Sequence, residues 1–137
     1  MVRIFLDANI LFTSAHNPGG KSALLVELSK ENLFELVTCS FAIEEAEKNL
    51  LKKYPEKMKN LEMDLKLIKT VPTSIGASCP IPLPLKDIPI FLSALNARSS
   101  YLLTGDIKDF GPFMNRPSIT HGMIIQTVSE FLRTFKP

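Results

Sequence analysis

Four short segments of this chain are largely apolar and rich in β-forming residues: Val2–Leu6, Phe34–Thr38, Tyr101–Thr104 and Met123–Gln126. A strand that is apolar on both sides must be covered on both sides. That is the situation of a parallel sheet held between two layers of helices. Lys69–Val71 reads as one more short strand. Helical segments separate the strands, so the pattern predicts an α/β protein. The expected architecture has three layers, α/β/α, around a mostly parallel sheet of about five strands.

The helical segments are read from spacing and caps. Lys21–Lys30 carries Leu24, Leu25 and Leu28 on one side, and Phe41–Tyr54 carries Ile43, Ala46, Leu50 and Tyr54. Tyr54-Pro55 ends that helix, and the next presents Met58, Leu61, Leu65 and Ile68 as a stripe. Asp87 is expected to cap a helix running through Ser99, with Pro89 in its first turn and Ile90, Phe91, Ala94 and Leu95 inward. Thr127-Val128-Ser129-Glu130 is a capping box that opens a last helix through Phe135. The stretch from Leu6 to the first helix, ending in Asn17-Pro18-Gly19-Gly20, is expected to be a loop. So is Pro72–Pro84, with four prolines and no helical period.

A chain of 137 residues is expected to form one domain, residues 1–137, with a core of real size. Its 45% hydrophobic and 22% charged content is ordinary for a globular protein, and a net charge of +2 argues nothing alone. No apolar run reaches the roughly 18 residues that span a bilayer, so no membrane partner is expected. The chain enters a strand directly, without the charged and apolar leader of a secreted protein. Cys39 and Cys79 have no metal-ligand spacing, and the simplest expectation is a reduced, cytoplasmic setting.

Acidic residues recur where the elements end. Asp7 follows the first strand in Phe5-Leu6-Asp7-Ala8-Asn9, and Asp106 follows the fourth in Leu103-Thr104-Gly105-Asp106. Asp87 opens a helix, and Glu44 and Glu45 ride on one. Singly, each has an ordinary explanation: a turn residue, an N-cap, a solvated helix face. Together they suggest a site for a hard divalent cation, Mg²⁺ or Mn²⁺, which prefers oxygen ligands. The carboxyl edge of the sheet is where open α/β folds hold their ligands. Asn9 and Thr104 are placed to support such carboxylates by hydrogen bonds, and Asp109 is a further candidate lying outside the main set.

These motifs, in this order, resemble the PIN-domain family of nucleases over nearly the whole chain. Phe5-Leu6-Asp7-Ala8-Asn9-Ile10-Leu11 is similar to the family's opening strand and first acid. Ser40-Phe41-Ala42-Ile43-Glu44-Glu45-Ala46 is similar to the helix with its second, Asp87-Ile88-Pro89-Ile90-Phe91 to that with its third, and Tyr101–Asp106 with Asp109-Phe110 to the strand and loop with its fourth. The resemblance implies strand order 3-2-1-4-5 and metal-dependent hydrolysis of RNA phosphodiesters. It implies catalytic and metal-holding roles for Asp7, Glu45, Asp87 and Asp106. Its register favours Glu45 as the second acid. A helical wheel centred on Ile43, Ala46 and Leu50 puts Glu45 on the far side and leaves Glu44 as the alternative. Many members are toxins of toxin–antitoxin pairs, and others process RNA. The partners implied are RNA, an antitoxin protein and a second copy of the chain. The competing reading is a non-catalytic PIN-fold module that binds RNA or protein.

Other motifs carry less. Gly19-Gly20-Lys21-Ser22 has the end of a phosphate loop but lacks the glycine at its start, and it does not directly follow a strand. His16 and His121 are lone histidines expected on surface loops. Lys48, Lys52, Lys53, Lys57, Lys59, Lys66 and Lys69 make the middle helices basic. They read either as a solvated face or as a surface that tracks phosphates.

Overall fold

A computed structural model describes every residue of the chain except Ala77 and Pro137. The strands are β1 (Val2–Leu6), β2 (Phe34–Cys39), β3 (Lys69–Val71), β4 (Tyr101–Leu103) and β5 (Ile124–Gln126). They form one five-stranded sheet in the order β3-β2-β1-β4-β5. Every neighbouring pair is parallel. The expected order is the one observed. β1 lies at the centre with Ile4, Phe5 and Leu6 fully buried, flanked by Leu36 and Val37 of β2 and by Leu102 and Leu103 of β4. The buried Thr38 hydroxyl donates to the carbonyl of Leu6 at 2.9 Å, tying β2 to β1 where both strands end.

The helices are α1 (Ala8–His16), α2 (Lys21–Leu28), α3 (Ser40–Lys53), α4 (Met58–Leu65), α5 (Ile88–Asn96), α6 (Ile107–Phe110) and α7 (Val128–Thr134). Short 3₁₀ turns follow α2 at Ser29–Glu31, precede α4 at Pro55–Lys57 and follow α6 at Gly111–Phe113. Layers of helices enclose the sheet, and Leu25, Leu50, Leu61, Phe91, Phe110 and Phe131 join the strands in one apolar core. The segment from Pro72 to Pro84 contains no helix or strand among its described residues, as its prolines predict. No helix among the described residues is long and apolar enough to cross a membrane. Both cysteines are free.

Several local expectations change. The loop expected after β1 is the helix α1. Asp7, in extended backbone (φ −68°, ψ 160°), caps it by accepting from the Ala8 amide. Ala8, Leu11 and Ala15, with Ile10 and Ser14, then give it a buried stripe at helical spacing. His16 is accordingly helical, and its ring stacks on Tyr54 with centroids 4.0 Å apart. On α2 the inward residues are Ser22, Leu25 and Val26, whereas Leu24 is exposed. On α3 the centre of the buried face is Ala42, Ala46 and Leu50, with Ile43 only half-buried.

α5 stops at Asn96, short of Ser99. Arg98 adopts a left-handed backbone (φ 58°). The amides of Arg98 and Ser99 return to the carbonyls of Leu95 and Ala94, at 3.0 and 3.1 Å. That is a Schellman closure with arginine where glycine is usual, so helical spacing beyond Asn96 was not a guide to its end.

The capping box of α7 forms as expected: Thr127 Oγ1 accepts from the Glu130 amide at 3.1 Å, and Glu130 Oε1 accepts from the Thr127 amide at 3.0 Å. Because α7 packs Val128 and Phe131 into the core, Thr127→Ala should lower global stability by about 1 kcal/mol. Urea unfolding with an unchanged m-value would measure that loss.

Candidate metal centre

The carboxyl ends of the two central strands bring the acids together. Leu6 of β1 pairs with Leu103 of β4, so Asp7 and Thr104 leave the sheet side by side. Asp7 is buried, yet each of its oxygens is satisfied. Oδ1 accepts from the Ala8 amide at 2.7 Å. Oδ2 accepts from Thr104 Oγ1 at 2.8 Å and Asn9 Nδ2 at 3.3 Å. Thr104 Oγ1 in turn accepts from the Asp106 amide at 3.0 Å. Asn9 Oδ1 accepts from the Gly105 amide at 2.8 Å, a close approach in which a Cβ on residue 105 would sit 3.4 Å from that oxygen. Asn9 and Thr104 thus both hydrogen-bond the Asp7 carboxylate.

Asp106 caps α6, and its Oδ1 accepts from the Asp109 amide at 3.0 Å. That turn folds Asp109 back toward Asp87. Carboxylate oxygens of Asp87, Asp106 and Asp109 all lie within 4.8 Å of one another. Asp109, expected outside the main set, is therefore a full member of its tightest part, and its place follows from the spacing of an N-cap and its third residue. Asp7 lies outside this group but acts on it through charge, raising Asp87; Asp7 is itself raised by Glu45 and Asp106. Glu44 and Glu45 are both exposed on α3.

Asp87 departs most from the ordinary role its position suggests. It precedes α5 as expected, but its backbone is helical (φ −97°, ψ −15°) and its side chain makes no capping hydrogen bond. The residue is only 6% exposed, and no donor group reaches Oδ2, whose carboxyl has only the Asp109 carboxylate to share a proton with. A buried carboxylate oxygen left unpaired destabilises a fold by a few kcal/mol unless something else binds it.

The site holds one cation that the sequence reading did not single out. Lys86 places Nζ 3.3 Å from Asp109 Oδ2 and 3.8 Å from Asp106 Oδ2. Its place beside Asp87 in Leu85-Lys86-Asp87 was the available signal.

Electrostatics follow the packing. Burial lifts Asp7 to about 6, against the hydrogen bonds from Thr104 and Ala8. Burial also lifts Asp87 to about 7, opposed by Lys86 and reinforced by Asp106, Asp7 and Asp109. For Asp109, burial works upward, but the hydrogen bond and charge of Lys86 prevail and hold it below the usual carboxylate range. The same hydrogen bond, with the charge of Asp87, raises Lys86.

The remaining candidates lie elsewhere. Gly19, Gly20 and Lys21 border a cavity of about 640 Å³ with Ser14, Glu27 and Asp64, and none of the acids described above lines it. Two carboxylates in its wall disfavour a phosphate, and Lys21 Nζ is hydrogen-bonded to Ser129 Oγ at 3.0 Å. His121 is exposed. Of the basic stripe, Lys48, Lys52, Lys53, Lys59, Lys66 and Lys69 are exposed and Lys57 is half-buried.

No family model matches the chain, and no curated protein does. Solved structures do. The chain is similar to one in the VapBC2 complex from Rickettsia felis bound to a DNA fragment from their promoter. The TM-score is 0.66 at 15% identity, over 92% of this chain and 98% of that one. It is also similar to a chain of VapBC-1 from nontypeable Haemophilus influenzae, with TM-score 0.58 at 15% identity over 93% and 99%. At this identity the likeness speaks for the fold, and the fold is the PIN-type three-layer arrangement that the sequence resemblance implied.

A pH dependence follows from the raised acids. With metal absent, the folded protein keeps protons on Asp7 and Asp87 that the unfolded chain releases at its ordinary carboxylate range. Stability should therefore fall as pH rises from about 4 to about 7. Asp87→Asn should flatten the upper part of that decline, gaining on the order of 1 kcal/mol near pH 7.5 after allowance for solvent screening. Urea unfolding in EDTA across this range would test it; a wild-type protein that gains stability with rising pH there would contradict the assignment.

Proposed function

We propose that this chain is a single PIN-like domain acting as a divalent-metal-dependent ribonuclease, the toxin of a cytoplasmic toxin–antitoxin pair. The observation that carries the reading is Asp87. Its carboxylate, one oxygen of which is buried with no donor, belongs to a group of three converging carboxylates beyond the ends of the central strands. The donor set consists of carboxylate oxygens, with no histidine or thiol among them, which fits Mg²⁺ or Mn²⁺. Asp87, Asp106 and Asp109 would hold the ion, with Asp7 and Glu45 completing the acidic wall on the side of β1 and α3.

A bound divalent ion supplies stabilisation of charge on phosphate oxygens and makes water a stronger nucleophile near neutral pH. The protein's own work is to hold the acids in fixed positions. Thr104 and Asn9 hold Asp7 in one orientation through its Oδ2. The Asp109 amide does the same for Asp106 through its Oδ1. The exposed lysines of α3 and α4 offer positive charge to the RNA backbone, offsetting its repulsion from the carboxylates. Support for an antitoxin partner comes from the fold neighbours, both of which are VapBC assemblies and one of which is bound to DNA.

Cleavage of single-stranded RNA with Mn²⁺, and its loss in EDTA, tests the activity. Asp106→Asn should lower the rate by on the order of 100-fold or more. Circular dichroism should show the fold retained. Glu45→Gln should cost far more activity than Glu44→Gln in single-turnover assays; the reverse order would assign the second acid to Glu44.

The lysines give a separate expectation. RNA affinity should fall with salt at a log–log slope near −0.7 for each phosphate contacted on a single strand. Neutralising Lys52, Lys53 and Lys57 together should reduce that slope by roughly 1.4–2.1 for two or three lost contacts. An unchanged slope would make them a solvated helix face.

A further inference from the structure

Lys86 lies two residues beyond the proline-rich stretch and immediately precedes Asp87, with 63% of its side chain exposed. Its ammonium lies 3.8 Å from Asp106 Oδ2 and 3.3 Å from Asp109 Oδ2. An exposed lysine gains little from an ion pair and gives up side-chain freedom to form one. This one forms because uncompensated carboxylates surround it. The compensation is incomplete: the ammonium pairs with two of the three carboxylates, and Asp87 Oδ2 stays buried with no donor group reaching it.

From this geometry we infer that Lys86 is a placeholder cation: its ammonium neutralises the mouth of the Asp87–Asp106–Asp109 group while no divalent ion is bound and withdraws to solvent when one binds. The inference rests on the metal-site reading above. A divalent ion needs its oxygen ligands at about 2.0–2.6 Å, which takes the same carboxylates that now face Lys86. The ammonium would then be repelled by the ion at short range. Lysine is suited to the exchange, since it is a compact charge on a flexible stem and cannot fork two carboxylates rigidly as arginine does. Its exposure leaves the stem free to leave without disturbing the core.

Calorimetric titration with Mn²⁺, together with melting curves with and without Mn²⁺, tests this on wild type, Lys86→Met, Lys86→Gln and Lys86→Arg. Both neutral variants should bind Mn²⁺ more tightly, by on the order of tenfold at low salt, with the advantage shrinking as salt rises. Without metal they should melt below wild type, and Mn²⁺ should raise their melting temperature by more. Lys86→Arg, which keeps the charge and can fork the carboxylates, should bind Mn²⁺ no more tightly than wild type. Neutral variants that bind Mn²⁺ no better than wild type would overturn the placeholder and leave the metal site standing. Absence of Mn²⁺ binding in wild type and in both neutral variants would remove the metal site and the placeholder with it.

Discussion

The buried hydroxyl of Thr104 joins the two halves of the site. It donates to Asp7 Oδ2, the carboxylate that closes β1, and accepts from the amide of Asp106, the carboxylate that follows β4. Asn9 Nδ2 lies 3.4 Å from the same oxygen. One polar atom at the end of the sheet thus fixes the first acid, aligns the loop that carries the fourth and binds the residue that supports both. Thr104 is fully buried, so these bonds form without competition from water. The strand pairing delivers it there, because Thr104 follows Leu103 just as Asp7 follows Leu6 in register.

Much of this was legible in the sequence because the signals were local and redundant. The five strands, their parallel pairing and most helices follow from short apolar segments alternating with helical spacing. The capping box at Thr127 named its helix start to the residue. Asp7 and Asp106 could be placed at strand ends because the apolar runs before them stop there. The order of the sheet came from the family resemblance, since periodicity alone does not order parallel strands.

What was not legible depends on contacts between elements. α1 was hidden because Asp7-Ala8-Asn9 reads equally well as a turn, and only the buried Ala8–Leu11–Ala15 stripe separates the two. The end of α5 depends on a left-handed arginine, which residue type does not suggest. On α3, Ile43 suggests itself for the inward face because isoleucine is larger and more apolar than alanine. The packed face is set by Ala42 and Ala46, whose small side chains let α3 approach its neighbours. Asp109 and Lys86 owe their places to the turn after Asp106 and to the path of the proline-rich stretch, and neither is encoded by spacing from Asp7.

The strand order explains why the acids meet where they do. β1 is flanked by β2 on one side and β4 on the other, so connections leaving the sheet diverge at the boundary between β1 and β4. In open parallel sheets such a boundary leaves a crevice beyond the strand ends, and backbone groups there are not consumed by the sheet. The chain fills its crevice with carboxylates, although burial lifts Asp7 and Asp87 well above their ordinary range. A sequence selected for stability alone would put neutral residues at these positions, as it does with the apolar side chains one step back in each strand. Chains only 15% identical share this fold, so it does not depend on the identity of most of its residues. The acids at the crevice are a different kind of constraint. They oppose folding in the absence of a cation, and the metal site proposed above accounts for their arrangement.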